Sequence, residues 1–205
     1  MNRVVHPEKL DHLAPTDPRA IRSRADLRRI HFGMGNFRWL ERSFTQAPES
    51  VLEIGAGDGA LCHRLQSRFP SARITGVDRV PGPPGIAWQT GDLFDVLPAA
   101  SAEGLIGVMI LHHFSDEALA QLGQWLDRFR ELRFCEPWRS PRSQALGWWM
   151  QPFFNDVTRH DLPVSVDAGF VPGELAARLS LDDKQWRIEE TTDWRGSIRL
   201  KASRR

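Results

Sequence analysis

The sequence predicts a single α/β domain whose mostly parallel sheet is covered by helices. A strand, a glycine-rich turn and an amphipathic helix follow one another between Val51 and Pro70. Short apolar segments and helical segments then alternate, which is the pattern of parallel strands joined by helical crossovers. Residues 186–202 alternate apolar and polar side chains on both sides of a short turn, which predicts an antiparallel hairpin. A length of 205 residues suits one domain with one core.

The glycine-rich turn is the centre of this prediction. The apolar strand Val51–Ile54, which contains one acid, is followed by Gly55, Gly57 and Gly59 at intervals of two. Glycine permits a sharp backbone turn and the close approach of a ligand. The helix that follows has an apolar face and is stopped by Pro70. That face consists of Leu61, Leu65 and Phe69.

Two kinds of ligand compete for this turn, and Glu53 distinguishes between them. Gly55, Gly57 and Ala60 also satisfy the pattern G-x-G-x-x-G/A of dinucleotide-binding proteins. A carboxylate in the preceding strand would repel a pyrophosphate, but it would attract a ligand that carries ammonium and sulfonium groups. On these residues the sequence resembles the class I S-adenosylmethionine-dependent methyltransferases, whose first motif reads much like Val51–Gly59. The alternative is an ordinary tight turn without a ligand.

The resemblance implies a Rossmann-like, seven-stranded, mostly parallel sheet with an antiparallel C-terminal hairpin, N-terminal helices and a lid insertion after the fifth strand. It divides the single domain into four parts. Residues 1–47 form a helical cap and residues 48–137 form the core that binds S-adenosylmethionine. Residues 138–183 form the substrate lid and residues 184–205 form the hairpin. The cap is rich in arginine, and we interpret this charge as a solvated helix face rather than as an arm for nucleic acid.

Acids at two predicted strand ends extend the cofactor site. Asp78 ends the second strand, at the position where an acid in folds of this kind hydrogen-bonds ribose hydroxyls. By resemblance, Asp92 accepts from the adenine amino group and Leu93 donates its backbone N–H to the ring. A plain Asp-containing turn is the alternative for Asp92. The predicted cofactor-binding residues are Glu53, Gly55, Gly57, Asp78, Arg79, Asp92, Leu93 and Leu111.

Two histidines are the candidates for a catalytic base. The apolar strand Leu105–Leu111 leads directly into His112 and His113. On an extended backbone, adjacent side chains point to opposite faces, so one ring would face the pocket and the other would pack beneath it. We favour His113 slightly over His112. A histidine that titrates near neutrality suits the deprotonation of a hydroxyl, so the expected acceptor is a hydroxyl of an aromatic, polyketide-like or quinone-like small molecule.

Other chemistries lack their motifs. The Asn/Asp-Pro-Pro-Tyr/Phe string of the DNA amino-group methylases does not occur where the fourth strand ends. There is also no clear acidic triplet for a divalent metal of the catechol-type enzymes, so we predict no metal. Residues 138–172 have no clean period but are rich in aromatic side chains. We expect this insertion to contact the substrate through Trp149, Phe153 and His160, or to pack on the core as a lid. His160 beside Asp161 is a second candidate base.

Composition limits the remaining possibilities. The formal net charge of +1 is too small to attract nucleic acid to the protein as a whole. No apolar run approaches the ~20 residues that span a bilayer. Cys62 and Cys135 read as reduced core residues, which fits the cytoplasm. We expect a monomer or homodimer that acts on a small molecule. The alternatives are a non-catalytic S-adenosylmethionine-binding accessory protein and an NAD-dependent oxidoreductase, although the absence of Tyr excludes a Tyr-x-x-x-Lys site.

Overall fold

The computed structural model describes residues 2–14 and 16–205. Met1 and Pro15 of the N-terminal segment 1–17, which we call the lead-in, lie outside the described residues. The described part of this lead-in is mostly without regular secondary structure and contains one 3-10 turn at Leu10–His12. Arg3 ties it to the domain, because its guanidinium pairs with Asp116 at 2.8 Å and also donates to the carbonyl oxygen of Ala168 at 2.8 Å.

The sheet has seven strands in the order β3-β2-β1-β4-β5-β7-β6. β1 to β5 are parallel to their neighbours, and β7 pairs antiparallel with both β5 and β6. The predicted parallel sheet with an antiparallel C-terminal hairpin is therefore confirmed. The strands are β1 Ser50–Ile54, β2 Arg73–Asp78, β3 Ala87–Thr90, β4 Gly104–Val108, β5 Glu131–Pro137, β6 Trp186–Thr192 and β7 Ser197–Arg204.

Eight α-helices occur in the described part of the chain. They are α1 Pro18–Met34, α2 Asn36–Ser43, α3 Ala60–Arg68, α4 Leu93–Val96, α5 Asp116–Gly123, α6 Pro141–Met150, α7 Asp156–Ala168 and α8 Glu174–Arg178. Gly35 separates α1 from α2 in the left-handed conformation, with φ of +67°. Ser115 caps α5 by accepting from the N–H of Ala118.

Alternate residues of β1 pack on opposite faces of the sheet, as the two-residue repeat of a strand requires. Val51 contributes to an apolar cluster with residues of α2 and α3, whereas Leu52 and Ile54 join a larger cluster with α5, α8 and the hairpin. Both faces of the sheet are therefore covered. Glu53 lies on the same face as Val51, between the strand and α3, where its side chain is buried.

The ring of Trp88 in β3 occupies space that three glycines leave open. A Cβ atom on Gly76 or on Gly82 would collide with this ring, and one on Gly59 would lie 3.4 Å from it. The indole N–H also donates to the carbonyl oxygen of Val80 at 3.0 Å. Trp88 thus holds the edge of the sheet against the glycine-rich turn.

The structure departs from the predicted elements at two places. β4 ends at Val108, and the histidines that follow lie in a 3-10 turn at Leu111–His113 rather than on an extended strand. The insertion after β5 contains the two helices α6 and α7, for which the sequence showed no clean period. No helix among the described residues is both long enough and apolar enough to cross a bilayer.

Candidate active site

One large cavity lies at the carboxyl ends of the parallel strands, where ligands bind in open α/β sheets. Its volume is about 1770 Å³, which exceeds the range of about 300–1,000 Å³ for a single small-molecule pocket. The lining comes from the lead-in, from α1 and α2, from the glycine-rich turn, from the ends of β2 and β4, and from the turn and start of the C-terminal hairpin. The cavity therefore has room for two ligands side by side.

The glycine-rich turn forms one wall of this cavity. Gly55, Gly57 and Gly59 have φ values of +63°, +59° and +73°, which disfavour other residues. A Cβ on Gly55 would lie 2.6 Å from the side chain of Ile110, whereas one on Gly57 would meet nothing within 4 Å. The backbone of Gly57 thus borders open space, and a ligand can approach it closely.

Asp78 lies beside this turn at the end of β2. Its Oδ2 accepts from the N–H of Gly57 at 2.7 Å, and its Oδ1 accepts from the N–H of Val80 at 3.1 Å. Each carboxylate oxygen offers about two acceptor sites, so both oxygens can accept a further hydrogen bond. Asp78 therefore supports the turn and also faces the cavity with free acceptor capacity, which fits a pair of ribose hydroxyls.

Glu53 lines the cavity from within β1, and its Oε2 accepts a hydrogen bond from the thiol of Cys62 on α3 at 2.9 Å. Burial raises the pKa of Glu53 to about 8. Burial also raises the pKa of the Cys62 thiol, so this thiol stays protonated and donates a hydrogen bond to Glu53. Both cysteines are buried and free, as predicted. Glu53 is thus a neutral acid near pH 7 that a cationic group would convert to a carboxylate.

The predicted adenine residues are arranged differently from the expectation. Asp92 caps α4 by accepting from the N–H of Phe94 at 2.9 Å, and it pairs with Arg79 at 2.9 Å. The hydrogen bond to Phe94 is the main cause that lowers the pKa of Asp92. Leu93 and Arg79 line the cavity, but Asp92 is not part of its lining. The role of Asp92 toward an adenine amino group stays a prediction.

The buried carboxylate of Glu136 fixes the backbone that follows β4. This carboxylate accepts from the backbone N–H groups of Ile110, Leu111 and His112, at 3.1, 2.9 and 3.2 Å. Met109, just before them, has a φ of +53°, which is strained for a residue with a side chain. The expectation of an extended backbone was therefore wrong here. The side chain of Leu111 lies in the core rather than in the cavity.

His112 is buried between two carboxylates. Its Nδ1 lies 2.8 Å from Oε2 of Glu136, and its Nε2 lies 3.5 Å from Oε1 of Glu8 in the lead-in. Burial by itself would lower the pKa of His112, but hydrogen bonds and charge from Glu136 and Glu8 outweigh it and raise the pKa to about 9. His112 is thus an imidazolium that links the lead-in to β5. It does not line the cavity.

His113 lines the cavity, and its ring packs at 4.2 Å from that of His112. Its Nδ1 lies 3.6 Å from Oδ2 of Asp11, which also lines the cavity. Glu8, His112 and His113 bring potential metal-ligand atoms within 4.8 Å of one another. A doubly protonated His112 has no lone pair to offer a metal, and it forms an ion-pair network with Glu8 and Glu136.

His31 of α1 lines the same cavity. Its Nδ1 is buried without a hydrogen-bond partner among the described residues. Burial lowers the pKa of His31 to about 4, so the ring is neutral at pH 7. The sequence carried no signal for this placement, because it depends on how α1 packs across the edge of the sheet.

The three residues of the insertion that were expected to bind substrate lie outside the cavity. Trp149 and Phe153 are 72% and 77% exposed, and neither they nor His160 line it. His160 contacts Asp161 at 2.9 Å, and Asp161 accepts from the backbone N–H groups of Lys9 and Leu10. The insertion packs against α1 through α7, as shown by the hydrogen bond between Ser23 and Thr158. It therefore supports the cap rather than lining the pocket.

Solved structures with the same fold are methyltransferases. The plantazolicin methyltransferase BpumL, in complex with a triazolic desmethylPZN analog and SAH, superposes with a TM-score of 0.70 at 11% identity, over 92% of each chain. The pyocyanin biosynthetic protein PhzM gives 0.68 at 17% identity, over 97% of this chain and 62% of its own. Human N-acetylserotonin methyltransferase in complex with SAM gives 0.59 at 17% identity, over 96% and 62%. The chain therefore has the class I methyltransferase fold, as its first motif predicted.

Sequence similarity to a curated protein covers a smaller part of the chain than the structural similarity does. The malonyl-[acyl-carrier protein] O-methyltransferase of Hahella chejuensis is 30% identical over 90 residues, which cover 39% of this chain and 28% of that relative. The chain thus matches less than a third of the length of this curated protein. No family model matches the sequence.

Proposed function

We propose that the protein is an S-adenosylmethionine-dependent methyltransferase that acts on a small molecule. The observation that carries this proposal is the convergence of Glu53, the open backbone of Gly57 and Asp78 on one cavity in a methyltransferase fold. The buried acid suits a cationic group, the glycine permits close contact, and the second acid suits vicinal hydroxyls. We assign Gly55, Arg79 and Leu93 to the same site.

The bound cofactor would supply an activated methyl group. The task of the chain is then to align the acceptor and exclude water, which accounts for much of the rate enhancement in such displacements. Residues of α1 and α2 line the cavity, and the ion-pair network of Glu8, His112 and Glu136 fixes the lead-in beside it. His113 is the base that we propose for removing the acceptor's proton, since it borders the cavity and stacks on a fixed ring.

The aromatic surface for the acceptor comes from the cap and not from the insertion. Phe32, Phe37 and Trp39 of α1 and α2 line the cavity, together with Phe114 after β4. Phe32 is 82% exposed, so most of its ring is open to a ligand. These rings suit a flat acceptor that packs against them. We therefore propose that the methyl group is transferred to a hydroxyl of an aromatic, polyketide-like or quinone-like molecule.

Calorimetric titration tests the cofactor assignment. S-adenosylmethionine and its demethylated product should bind with micromolar dissociation constants, and NAD should not bind. NAD binding alone would favour the oxidoreductase, and cofactor binding without turnover of any acceptor would favour the accessory protein. We also propose that the enzyme works in the cytoplasm, as a monomer or homodimer, and neither inserts into membranes nor binds nucleic acid. Its two buried free thiols support a reducing compartment.

A further inference from the structure

The wall of the cavity carries more positive charge than the chain as a whole. Its lining includes eight arginines but only five acids, whereas the whole sequence has a net charge of +1. One of those acids, Glu53, is neutral near pH 7 because its pKa is raised to about 8. The arginines are Arg24, Arg28, Arg38, Arg42, Arg64, Arg79, Arg195 and Arg199.

Several of these guanidinium groups have carboxylate partners, which explains their presence without a ligand. Arg64 pairs with Glu41, Arg79 with Asp92, and Arg199 with Asp193. Arg38 and Arg42 of α2 and Arg195 of the hairpin turn have no ion pair within the described residues. The two on α2 are spaced by four, so they lie on the same side of that helix.

The junction between α1 and α2 brings part of this set together. A Cβ on Gly35 would lie 2.9 Å from Nη1 of Arg195, so this guanidinium lies against the junction. Arg199 donates there to the carbonyl oxygen of Met34 at 3.0 Å, yet its Nε is buried and has no partner among the described residues. Arg195 and Arg199 therefore lie together at this junction, and Arg38 and Arg42 line the same cavity from the helix that begins there.

The cofactor does not account for this charge. S-adenosylmethionine carries two positive groups and one carboxylate at neutral pH, so a cationic wall opposes its binding as a whole. Its carboxylate can engage one of Arg38, Arg42 and Arg195, which leaves the other two without an anion among the described residues. Guanidinium groups pair with carboxylates in a planar, often bidentate geometry.

We propose that the methyl acceptor is an anion, a hydroxylated aromatic or polyketide-like acid whose carboxylate binds to Arg38, Arg42 and Arg195 at the cap. This inference rests on the proposed function and adds to it the chemical class of the acceptor. The aromatic rings of Phe32 and Phe37 contact the flat part of the molecule, and its hydroxyl reaches His113, which lines the same cavity. The arginines of the cap are thus a specificity site and not only a solvated face.

A matched acceptor panel tests this inference. Each hydroxybenzoic or dihydroxybenzoic acid is assayed beside its primary amide, which keeps the ring and hydroxyl but not the charge. We expect kcat/KM for the acids to exceed that for the amides by about tenfold or more, as for the loss of a charge-assisted hydrogen bond. Arg195→Gln and Arg38→Gln should reduce this ratio, mainly through KM for the acid. Arg22→Gln, on the part of α1 that does not line the cavity, should leave the ratio unchanged.

The outcomes separate the two proposals. Cofactor binding with equal or better turnover of the amides, or with no acid bound or methylated, would overturn the inference and leave the cofactor assignment intact. An acid preference that both cavity variants retain would also overturn it. Failure of S-adenosylmethionine and its product to bind at all would instead overturn the proposed function.

Discussion

The thiol of Cys62 in α3 donates a hydrogen bond to the carboxyl group of Glu53 in β1, with 2.9 Å between Sγ and Oε2. A thiol is a weak donor, and it does little to offset the cost of ionising a buried acid. The pKa of Glu53 is accordingly raised from 4.5 to about 8, with burial as the largest cause. The folded chain therefore holds a proton at pH values where the unfolded chain has lost it.

This proton makes stability depend on pH in a definite direction. Because the folded state binds more protons than the unfolded state between pH 4.5 and about 8, the free energy of unfolding should fall as pH rises through that window. Glu53→Gln cannot ionise, so its free energy of unfolding should fall less over the same range. Urea unfolding at pH 5 and pH 8 measures this difference. Glu49→Gln, at an exposed acid just before β1, is the matched control, and equal slopes for wild type and Glu53→Gln would contradict the prediction.

The second prediction concerns Asp78. Asp78→Ala should weaken binding of S-adenosylmethionine by about 10–150-fold, the equivalent of one charge-assisted hydrogen bond of roughly 1.5–3 kcal/mol. Asp78→Asn keeps one oxygen acceptor and should bind with intermediate affinity. Calorimetry gives the affinities and a thermal melt checks folding, since Asp78 also accepts from Gly57. An unchanged dissociation constant in a folded Asp78→Ala protein would place the ribose contact elsewhere.

Two glycines of the turn should respond differently to the same substitution. Gly57→Ala places a Cβ in open space, so the protein should fold with a loss of about 1–2 kcal/mol for the left-handed backbone and lose cofactor affinity. Gly55→Ala places a Cβ against Ile110 and should destabilise the fold more strongly. Chemical unfolding and cofactor titration of both variants measure these effects. Unimpaired cofactor binding by Gly57→Ala would show that the ligand does not approach this backbone.

We expect the two adjacent histidines to have different roles, with His113 acting as the base and His112 stabilising the fold. His113→Ala should reduce the methylation rate about 10²–10⁴-fold, while cofactor affinity changes little. His112→Ala should instead reduce stability, because it leaves Glu136 and Glu8 buried without their cationic partner. His31→Ala is the necessary comparison, since that neutral ring lines the same cavity. If His31→Ala slows turnover and His113→Ala does not, the base has been assigned to the wrong wall.

Local sequence patterns carried the fold prediction because they depend on neighbours along the chain. The apolar residues of Val51–Ile54 and the helical spacing after Gly59 each reflect a backbone preference of the residues themselves. The resemblance of the glycine-rich motif then supplied the number of strands and their mostly parallel arrangement, which no local pattern encodes. The strands and cap helices were predictable for these reasons.

The parts that failed depend on contacts between distant residues. The turn at Leu111–His113 forms because Glu136, more than twenty positions later, captures three backbone N–H groups with one carboxylate. The insertion was expected to line the pocket because it is aromatic, yet Trp149 remains exposed while α7 supports α1. The placement of Arg38 and Arg42 on the wall of the cavity was not predicted, since no sequence pattern shows which side of α2 faces the cavity.

The packing of Trp88 over the glycines of the sheet edge couples substitutions at these positions. A Cβ at Gly76 or Gly82 would lie 2.4 or 2.1 Å from the nearest indole atom, so a substitution at either position requires the ring to shift. A smaller residue at position 88 would remove both clashes. Conversely, a Cβ at either glycine disfavours a tryptophan at position 88. The effect of a substitution at one of the three positions therefore depends on the residues at the other two.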